Sequence, residues 1–599
     1  MINSFDILIV GAGHAGIEAA NISSQFSGLK VGLLTKKGVP IGSTPCNPAI
    51  GGVGKGQLVR EIDILGGAIG ALADKAAIQC RILNDSKGDA VKSTRFQVDK
   101  RSYSQAATDL ILENSNLTVE YGELVNCERD QESEFFRVFL KSGDFLLARR
   151  LVVTVGTFFD GVLHEGFNIT PGGRIGCDRS VPVAALGLNV RTLSKKFKTG
   201  TPPRIKKDTV DTSKMEVQES DPRAQNFGFL SDPFQRFLRQ VPCYKTHTNS
   251  STVEIVLNNK ESSPMFNGQI SGVGPRYCPS IEDKAFKYPE KFDHHVFIEP
   301  EGLDLDTFYP NGVSTSLPSS IQEEMIRTIS GMENAEVSIP GYAVEYDVID
   351  TSRLSTSLES VDCRGLYFAG QVNGTSGYEE AAGQGLVAGL NAALASLSRE
   401  EVVFPRGTSY IGVLIDDILS NKREEPYRLF TARAENRLYI REDNSVSRLG
   451  KIRLSLGLNS KLDRKIKKHL NELSVIDKVY SLLPSSLQNE FAAKSSAVEP
   501  SRFINYMKNM HGINLSHRAS QEFLISKKYE GYINRQKISN ERFGKMDKKR
   551  INVRKITEDL PISNECRELI IKYNPTTFFH LKSIRGIRPA TLALVSSQL

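Results

Sequence analysis

Phe5-Asp6-Ile7-Leu8-Ile9-Val10 runs directly into Gly11-Ala12-Gly13-His14-Ala15-Gly16, and that loop into Ile17-Glu18-Ala19-Ala20. The first segment has the length and composition of a buried parallel strand. The last reads as the opening of a helix. Gly11 permits the tight turn, Gly13 lets backbone approach a pyrophosphate, and Gly16 lets helix and strand pack closely. The helix N-terminus then presents unpaired N–H groups to an anion. Strand, glycine loop and helix in this order predict an α/β fold of Rossmann-like type that binds a nucleotide.

Two later segments indicate which nucleotide. Arg150-Leu151-Val152-Val153-Thr154-Val155-Gly156-Thr157 is a strand closing in a small-residue turn, and Gly365-Leu366-Tyr367-Phe368-Ala369-Gly370-Gln371-Val372 is another. A small-residue helix starts at Tyr378-Glu379-Glu380-Ala381-Ala382-Gly383-Gln384-Gly385. Flavoproteins of the two-dinucleotide-domain type bring such a late strand and helix back to the flavin, so the spacing favours FAD over a simple NAD unit. One feature departs from the generic fingerprint. The second strand, expected from Leu29 to Leu34, ends in Thr35-Lys36-Lys37, with no acidic residue for the ribose hydroxyls.

The 599 residues suffice for two to four domains, and 40% apolar with 24% charged residues is ordinary globular composition. No apolar run reaches the roughly 18 residues of a membrane span, and the early first strand predicts no signal or transit peptide. Eight scattered cysteines without a CxxC pair suit a reducing cytoplasm and predict no metal site. Charge divides unevenly. Residues 401–599 hold 36 Lys and Arg against 21 Asp and Glu, whereas residues 1–400 hold 40 against 48. A basic module on a mildly acidic one suggests an anionic macromolecular partner, although much of such charge only solvates helical faces.

The expected organisation is a nucleotide-binding domain over 1–202, an inserted α+β region over 203–273, a return part over 274–400 and a helical domain over 401–599. Apolar spacing from Lys461 to Leu483 predicts an amphipathic helix.

The chemistry is expected in two cysteine loops. Thr44-Pro45-Cys46-Asn47-Pro48-Ala49-Ile50-Gly51-Gly52-Val53-Gly54-Lys55-Gly56 follows the second strand, within reach of a ligand on the first glycine loop. Its Gly54-Lys55 pair lacks the following Ser or Thr of a P-loop, which excludes an ATPase reading. Gly272-Val273-Gly274-Pro275-Arg276-Tyr277-Cys278-Pro279 places the second cysteine near Arg276 and Lys284, cations that favour a thiolate. Cys80, Cys127, Cys177, Cys243, Cys363 and Cys566 read as small core residues.

These segments together resemble the MnmG (GidA) family, the FAD subunit of a tRNA wobble-uridine modification enzyme. The resemblance rests on GAGHAG at 11–16, PCNPAIGGVGKG at 45–56, RILNDSKGDAVKSTR at 81–95, KTGTPPR at 198–204 and GVGPRYCPSIEDK at 272–284. It continues through YPNGVSTSLP at 309–318, FAGQVNGTSGYEEAAGQGL at 368–386, EPYRLFTARAENRLYIREDN at 425–444 and KYEGYINRQ at 528–536. It implies C5 modification of U34 in tRNA to aminomethyl- or carboxymethylaminomethyl-uridine. Methylenetetrahydrofolate supplies the carbon, ammonium or glycine the amine, and NADH the reducing equivalents. The implied partners are the tRNA anticodon loop and the GTPase MnmE, with a homodimer entering a heterotetramer, in the cytoplasm and without membrane insertion.

The resemblance also implies site residues. The two required cysteines match Cys46 and Cys278. FAD contacts carry over to Gly11, Ala12, Gly13, His14, Ala15, Gly16, Val125, Ser180 and Gln371. An NAD-binding stretch matches Gly274, Pro275, Arg276, Tyr277 and Glu282. On the residues themselves, Arg428, Arg433, Arg437 and Arg441 recur at roughly helical intervals and are expected to meet tRNA phosphates. Two other readings remain open: a folate- and FAD-dependent tRNA uracil-C5 methyltransferase, which lacks a helical region like 401–599, and a non-catalytic flavin-containing RNA-binding scaffold.

Overall fold

The apolar run at the start of the chain becomes the strand Ser4–Val10, central in a parallel sheet. It lies between Val31–Thr35 and Phe145–Val153, with Ile7 paired to Val31 on one side and to Arg150 on the other. Ile7, Leu8 and Ile9 are fully buried, as a parallel strand covered on both faces requires. Leu117–Tyr121 extends the sheet beyond Val31–Thr35, and Leu366–Phe368 returns to pair in parallel with Leu151–Val153. An antiparallel hairpin, Leu124–Arg129 with Phe136–Leu140, attaches to the first half of Phe145–Val153. The computed structural model describes residues 3–130, 132, 134–231, 235–274, 279–420, 424–492, 499–547, 549–584 and 586–598.

Two helices cross on this sheet at close range. His14–Ser23 follows the glycine loop, and Tyr378–Ser396 follows the returning strand. A Cβ at Gly385 would stand 2.0 Å from the Ala15 carbonyl oxygen, and one at Gly389 2.5 Å from Ala19 Cα. The small-residue run of the later helix is therefore a packing requirement.

Three further sheets surround the first. Ala49–Gly51, Ser93–Val98 and Ala77–Leu83 form a small antiparallel sheet beside the first cysteine loop. Asn168–Pro171, Val162–Glu165, Tyr342–Tyr346 and Phe197–Thr201 form another. The six-stranded third sheet runs Glu216–Gln218, Cys243–His247, His295–Pro300, Thr307–Asn311, Arg204–Lys206, Val337–Ile339. With Ser250–Asn258, Ile281–Lys287 and Ser319–Arg327 it encloses its own core of Ile205, Val256, Val296, Ile298 and Met325. The inserted α+β region thus takes in residues 204–339, where the sequence reading ends it at 273.

The chain forms two compact units, Met1–Asn471 and Glu472–Leu599. Composition changes at 401, but residues 401–471 pack into the first unit. The N–H groups of Tyr410 and Ile411 donate to the two oxygens of Glu61 at 3.0 and 2.9 Å, and Arg448 meets the same carboxylate at 2.5 Å. Buried carboxylates at helix starts bind well because they meet unpaired N–H groups. The amphipathic helix expected over 461–483 is present as Lys461–Ser481. In the second unit, two small cores form among helices, one around Tyr480, Phe491, Phe503 and Phe523 and one around Ile556, Ile570, Phe578 and Leu581. That unit carries 21 Lys and Arg against 12 Asp and Glu.

Candidate active site

A cavity of about 390 Å³ opens at the carboxyl ends of the parallel strands, where open α/β sheets bind ligands. Of the expected cofactor contacts, Gly11, Ala12, Gly13, His14, Ala15, Ser180 and Gln371 line it. Gly16 lies beneath the loop, where a Cβ would sit 1.7 Å from the Gly11 carbonyl oxygen. Val125 is not on the wall; its neighbours Glu123 and Leu124 are.

The glycine loop suits a dinucleotide in its own geometry. No heavy atom lies within 4 Å of a Cβ placed on Gly13, so that side of the loop is open to a close ligand. Gly13 caps the following helix without a side-chain bond, which leaves the helix N-terminus to an anion. His14 is buried in the cavity wall, its ring stacked on Tyr378 at 4.3 Å and its Nε2 without a hydrogen-bond partner.

Burial lowers the His14 pKa from 6.5 to about 3. The folded protein therefore binds fewer protons than the unfolded chain between these values. His14 contributes stability that is present above pH 6.5 and lost as pH falls toward 3. The thermal midpoint of His14→Gln is expected to fall less steeply than that of the wild type across this window. Parallel curves would contradict a neutral buried imidazole.

The same cavity wall carries Cys46. The backbone N–H of Cys46 donates to the Tyr378 hydroxyl at 2.9 Å. Arg204 Nη2 donates to the Pro45 carbonyl at 2.6 Å, and its guanidinium lies 4.8 Å from the Tyr309 ring centre. Arg204 also meets Glu301 at 3.2 Å, and Lys100 pairs with the same carboxylate. Burial pushes the Glu301 carboxyl up, but Lys100 and Arg204 outweigh it and hold the group below its usual range. Both cations lie within electrostatic reach of Cys46, and cations near a thiol favour its nucleophilic thiolate. Burial raises the Tyr378 phenol well above 10, so it keeps its proton.

Buried ion pairs fix the rest of this wall. Lys55 Nζ lies 2.9 Å from Glu379 and 3.1 Å from Glu380. Glu379 accepts the Gly51 N–H at 2.7 Å, and Glu380 accepts that of Leu429 at 2.9 Å. Lys55 follows a glycine as a phosphate-binding lysine would, yet it is held by carboxylates. Glu299 binds both Arg95 and the Asn47 amide at 2.6 Å, bracing the cysteine loop.

The remaining described cysteines differ from Cys46. Burial pushes Cys80 and Cys127 up to about 12 and Cys243 further, as inert core thiols. Cys566 is buried in the second unit, while Cys177 and Cys363 are half-buried. Pro275, Arg276, Tyr277 and Cys278 lie outside the described residues. Both flanks of that loop are anchored. Gly272 N–H donates to Glu345 at 2.6 Å, and the Ser280 hydroxyl accepts the Asp283 N–H at 3.2 Å. Gly274 abuts Lys198, with 2.7 Å between its Cβ position and Lys198 Cε. Glu282, expected to contact NAD, is buried and accepts from Thr315 Oγ1 at 3.0 Å and Ser316 N at 2.9 Å. All of these bonds end on Oε1, the buried Oε2 has no hydrogen-bond partner among the described residues, and the residue lies outside the wall of the cavity that carries Cys46. Lys284, expected to charge the cysteine loop, donates to the Gly312 carbonyl at 2.6 Å.

The four arginines do not share a helix. Residues 428–441 hold a 3-10 turn, Thr431–Arg433, and a further turn over 435–439, with no α-helix. Arg428 lines the cavity, Arg433 stacks over Tyr427 at 4.4 Å, and Arg437 is exposed. Arg441 is fully buried and grips Asp443 at 2.9 and 2.8 Å, which removes it from any phosphate surface. Arg437→Glu is expected to weaken tRNA binding and reduce its salt slope by about one. Arg441→Gln is expected to lower the thermal midpoint instead. Filter binding across salt concentrations, with a melt of each variant, checks both.

A parallel sheet with this strand order, a glycine loop and a cysteine on one cavity define a Rossmann-type nucleotide-binding protein with a candidate thiol centre. The family model described as glucose inhibited division protein A matches residues 6–400. The tRNA uridine 5-carboxymethylaminomethyl modification enzyme MnmG of Aquifex aeolicus (strain VF5) is 40% identical over 605 residues, covering 99% of this chain and 98% of its own. Two crystal forms of Aquifex aeolicus GidA superpose with a TM-score of 0.81, at 37% and 38% identity, covering all of this chain and 98% and 100% of theirs. The chain belongs to the GidA (MnmG) family.

Sequence reasoning did not single out Arg204, Glu301, Lys100 or Glu379 as site residues. Arg204 had a visible signal, a cation after Pro202-Pro203. Glu379 lines the cavity directly, while Lys100 and Glu301 join Arg204 through contacts distant in sequence.

Proposed function

We propose that this protein modifies the wobble uridine of tRNA at C5, using FAD in the cavity described above. The observation that carries this reading is the cavity itself, which places the dinucleotide-type glycine loop and Cys46 on one wall. The Aquifex relative's activity supports the substrate. In this reading a methylenetetrahydrofolate supplies the one-carbon unit, NADH the electrons, and a GTPase of the MnmE kind acts with a homodimer of this chain in the cytoplasm. FAD when bound supplies the redox chemistry.

The chain's own residues perform the rest. Uracil C5 is a weak nucleophile. Addition of a thiolate from Cys46 or Cys278 at C6 forms a C–S bond and gives C5 carbanion character, so one hard step becomes two easier ones. After C5 bonds the donated carbon, the other group removes the C5 proton, and the C6–S bond breaks to restore the ring double bond. The Tyr378 hydroxyl holds the Cys46 backbone, and Arg204 with Lys100 stabilises the anionic sulfur. The wobble base lies in a single-stranded loop, so extruding it costs less than from a duplex. Arg428 and Arg437 balance its phosphates. Among the described residues no helix is long and apolar enough to cross a membrane, and no His, Cys, Asp and Glu group could hold a metal ion.

Nucleoside mass spectrometry of tRNA from cells lacking this protein tests the reading. Loss of C5 aminomethyl-type wobble uridines is expected. Unchanged wobble uridines would overturn it, and loss of a C5-methyl group alone would favour a methyltransferase.

A further inference from the structure

Dinucleotide-binding sheets place an acidic side chain at the end of the second strand, where it accepts hydrogen bonds from the ribose hydroxyls. Here that strand, Val31–Thr35, is followed by Lys36. An ammonium only donates, so it leaves both hydroxyl protons of a ribose without an acceptor. The adjacent parallel strand supplies one. Leu117–Tyr121 pairs Tyr121 with Thr35, and Gly122 N–H donates to the Thr35 carbonyl at 2.9 Å. The next residue is Glu123, whose Oε1 lies 3.0 Å from Lys36 Nζ. Both residues line the same cavity as the glycine loop.

The pair is braced on every side. Lys36 Nζ also donates to the Asp178 carbonyl at 3.0 Å and stands 5.1 Å from the Phe158 ring centre. The Glu123 backbone accepts the Lys141 N–H at 2.9 Å. Lys141 Nζ approaches the second carboxylate oxygen only to 3.6 Å and is largely exposed, so it contributes little. A carboxylate offers about four lone-pair sites, and these contacts leave capacity for a vicinal diol.

We infer that Glu123 is the ribose anchor of this chain, accepting hydrogen bonds from the adenosine hydroxyls, with Lys36 as its positioning residue. This rests on the dinucleotide reading of the cavity and deepens it. A 2′-phosphate would meet the carboxylate with like charge, so the site selects an unphosphorylated ribose.

Titration of the full-length apoprotein with ADP and 2′-deoxy-ADP tests this without any variant. The wild type is expected to prefer ADP by about tenfold, the value of one hydrogen bond to a charged group. Glu123→Ala is expected to lose that preference and to weaken FAD binding by a similar factor, read by flavin fluorescence. Lys36→Met is expected to produce a smaller loss. Equal wild-type affinity for the two nucleotides, or wild-type FAD affinity in Glu123→Ala, overturns the assignment. A wild-type protein that binds neither ADP nor FAD removes the dinucleotide reading and the anchor with it.

Discussion

Cys46→Ser is expected to remain folded and flavin-loaded while wobble-uridine modification falls by about 10²- to 10³-fold or more. The hydroxyl preserves the volume of the site, and the contact to Tyr378 comes from the Cys46 backbone, not from the sulfur. Arg204, Lys100 and Glu301 stay in place, so the loss measures the thiol alone. Cys363→Ser, at a half-buried cysteine outside the cavity wall, serves as the matched control and should retain activity. Single-turnover assays on an unmodified tRNA separate the effect from binding. A Cys46→Ser enzyme with wild-type turnover would remove this residue from the chemistry.

Gly16→Ala is expected to strip the protein of its nucleotide. The new methyl carbon would lie 1.7 Å from the Gly11 carbonyl oxygen and 2.9 Å from Thr154 Oγ1. Both are parts of the strand-end framework that shapes the cavity, so the helix must move off the loop. Overpacking of this kind costs about 1–3 kcal/mol even where side chains give way, and here a backbone carbonyl stands in the path. The variant should purify colourless, with FAD affinity reduced by about 100-fold or more and a lower thermal midpoint. A yellow Gly16→Ala protein with full flavin occupancy would show that the helix and loop do not meet as described.

The nucleotide end of the site was legible because its determinants are local. Gly11, Gly13, Gly16 and the flanking apolar run occupy consecutive positions, and each glycine has a separate steric reason. The returning strand at Leu366–Phe368 and the helix from Tyr378 were equally visible as apolar and small-residue runs. The thiol end was less legible. Cys46 stood out through its prolines, but the cations around it arrive from residues 100 and 204, and the carboxylate between them from 301. No spacing rule joins such positions; Lys100 follows a strand of the three-stranded sheet, whereas Arg204 lies in the six-stranded one and Glu301 just after one of its strands. Arg441 misled for a related reason. Its interval from Arg437 suits a helix, yet Asp443 two residues on draws the guanidinium inward. The composition change at 401 marks where strands give way to helices, while the compact unit continues to Asn471, held by Glu61 and Arg448.

One cavity must serve both the flavin and the sulfur for this chemistry to run. A crystal structure of the protein with FAD tests this most directly. The expected complex has the pyrophosphate on the backbone of Gly11 to His14, the adenosine toward Glu123, and the isoalloxazine ring facing Cys46. A flavin bound elsewhere, or one whose ring points away from Cys46, would contradict it.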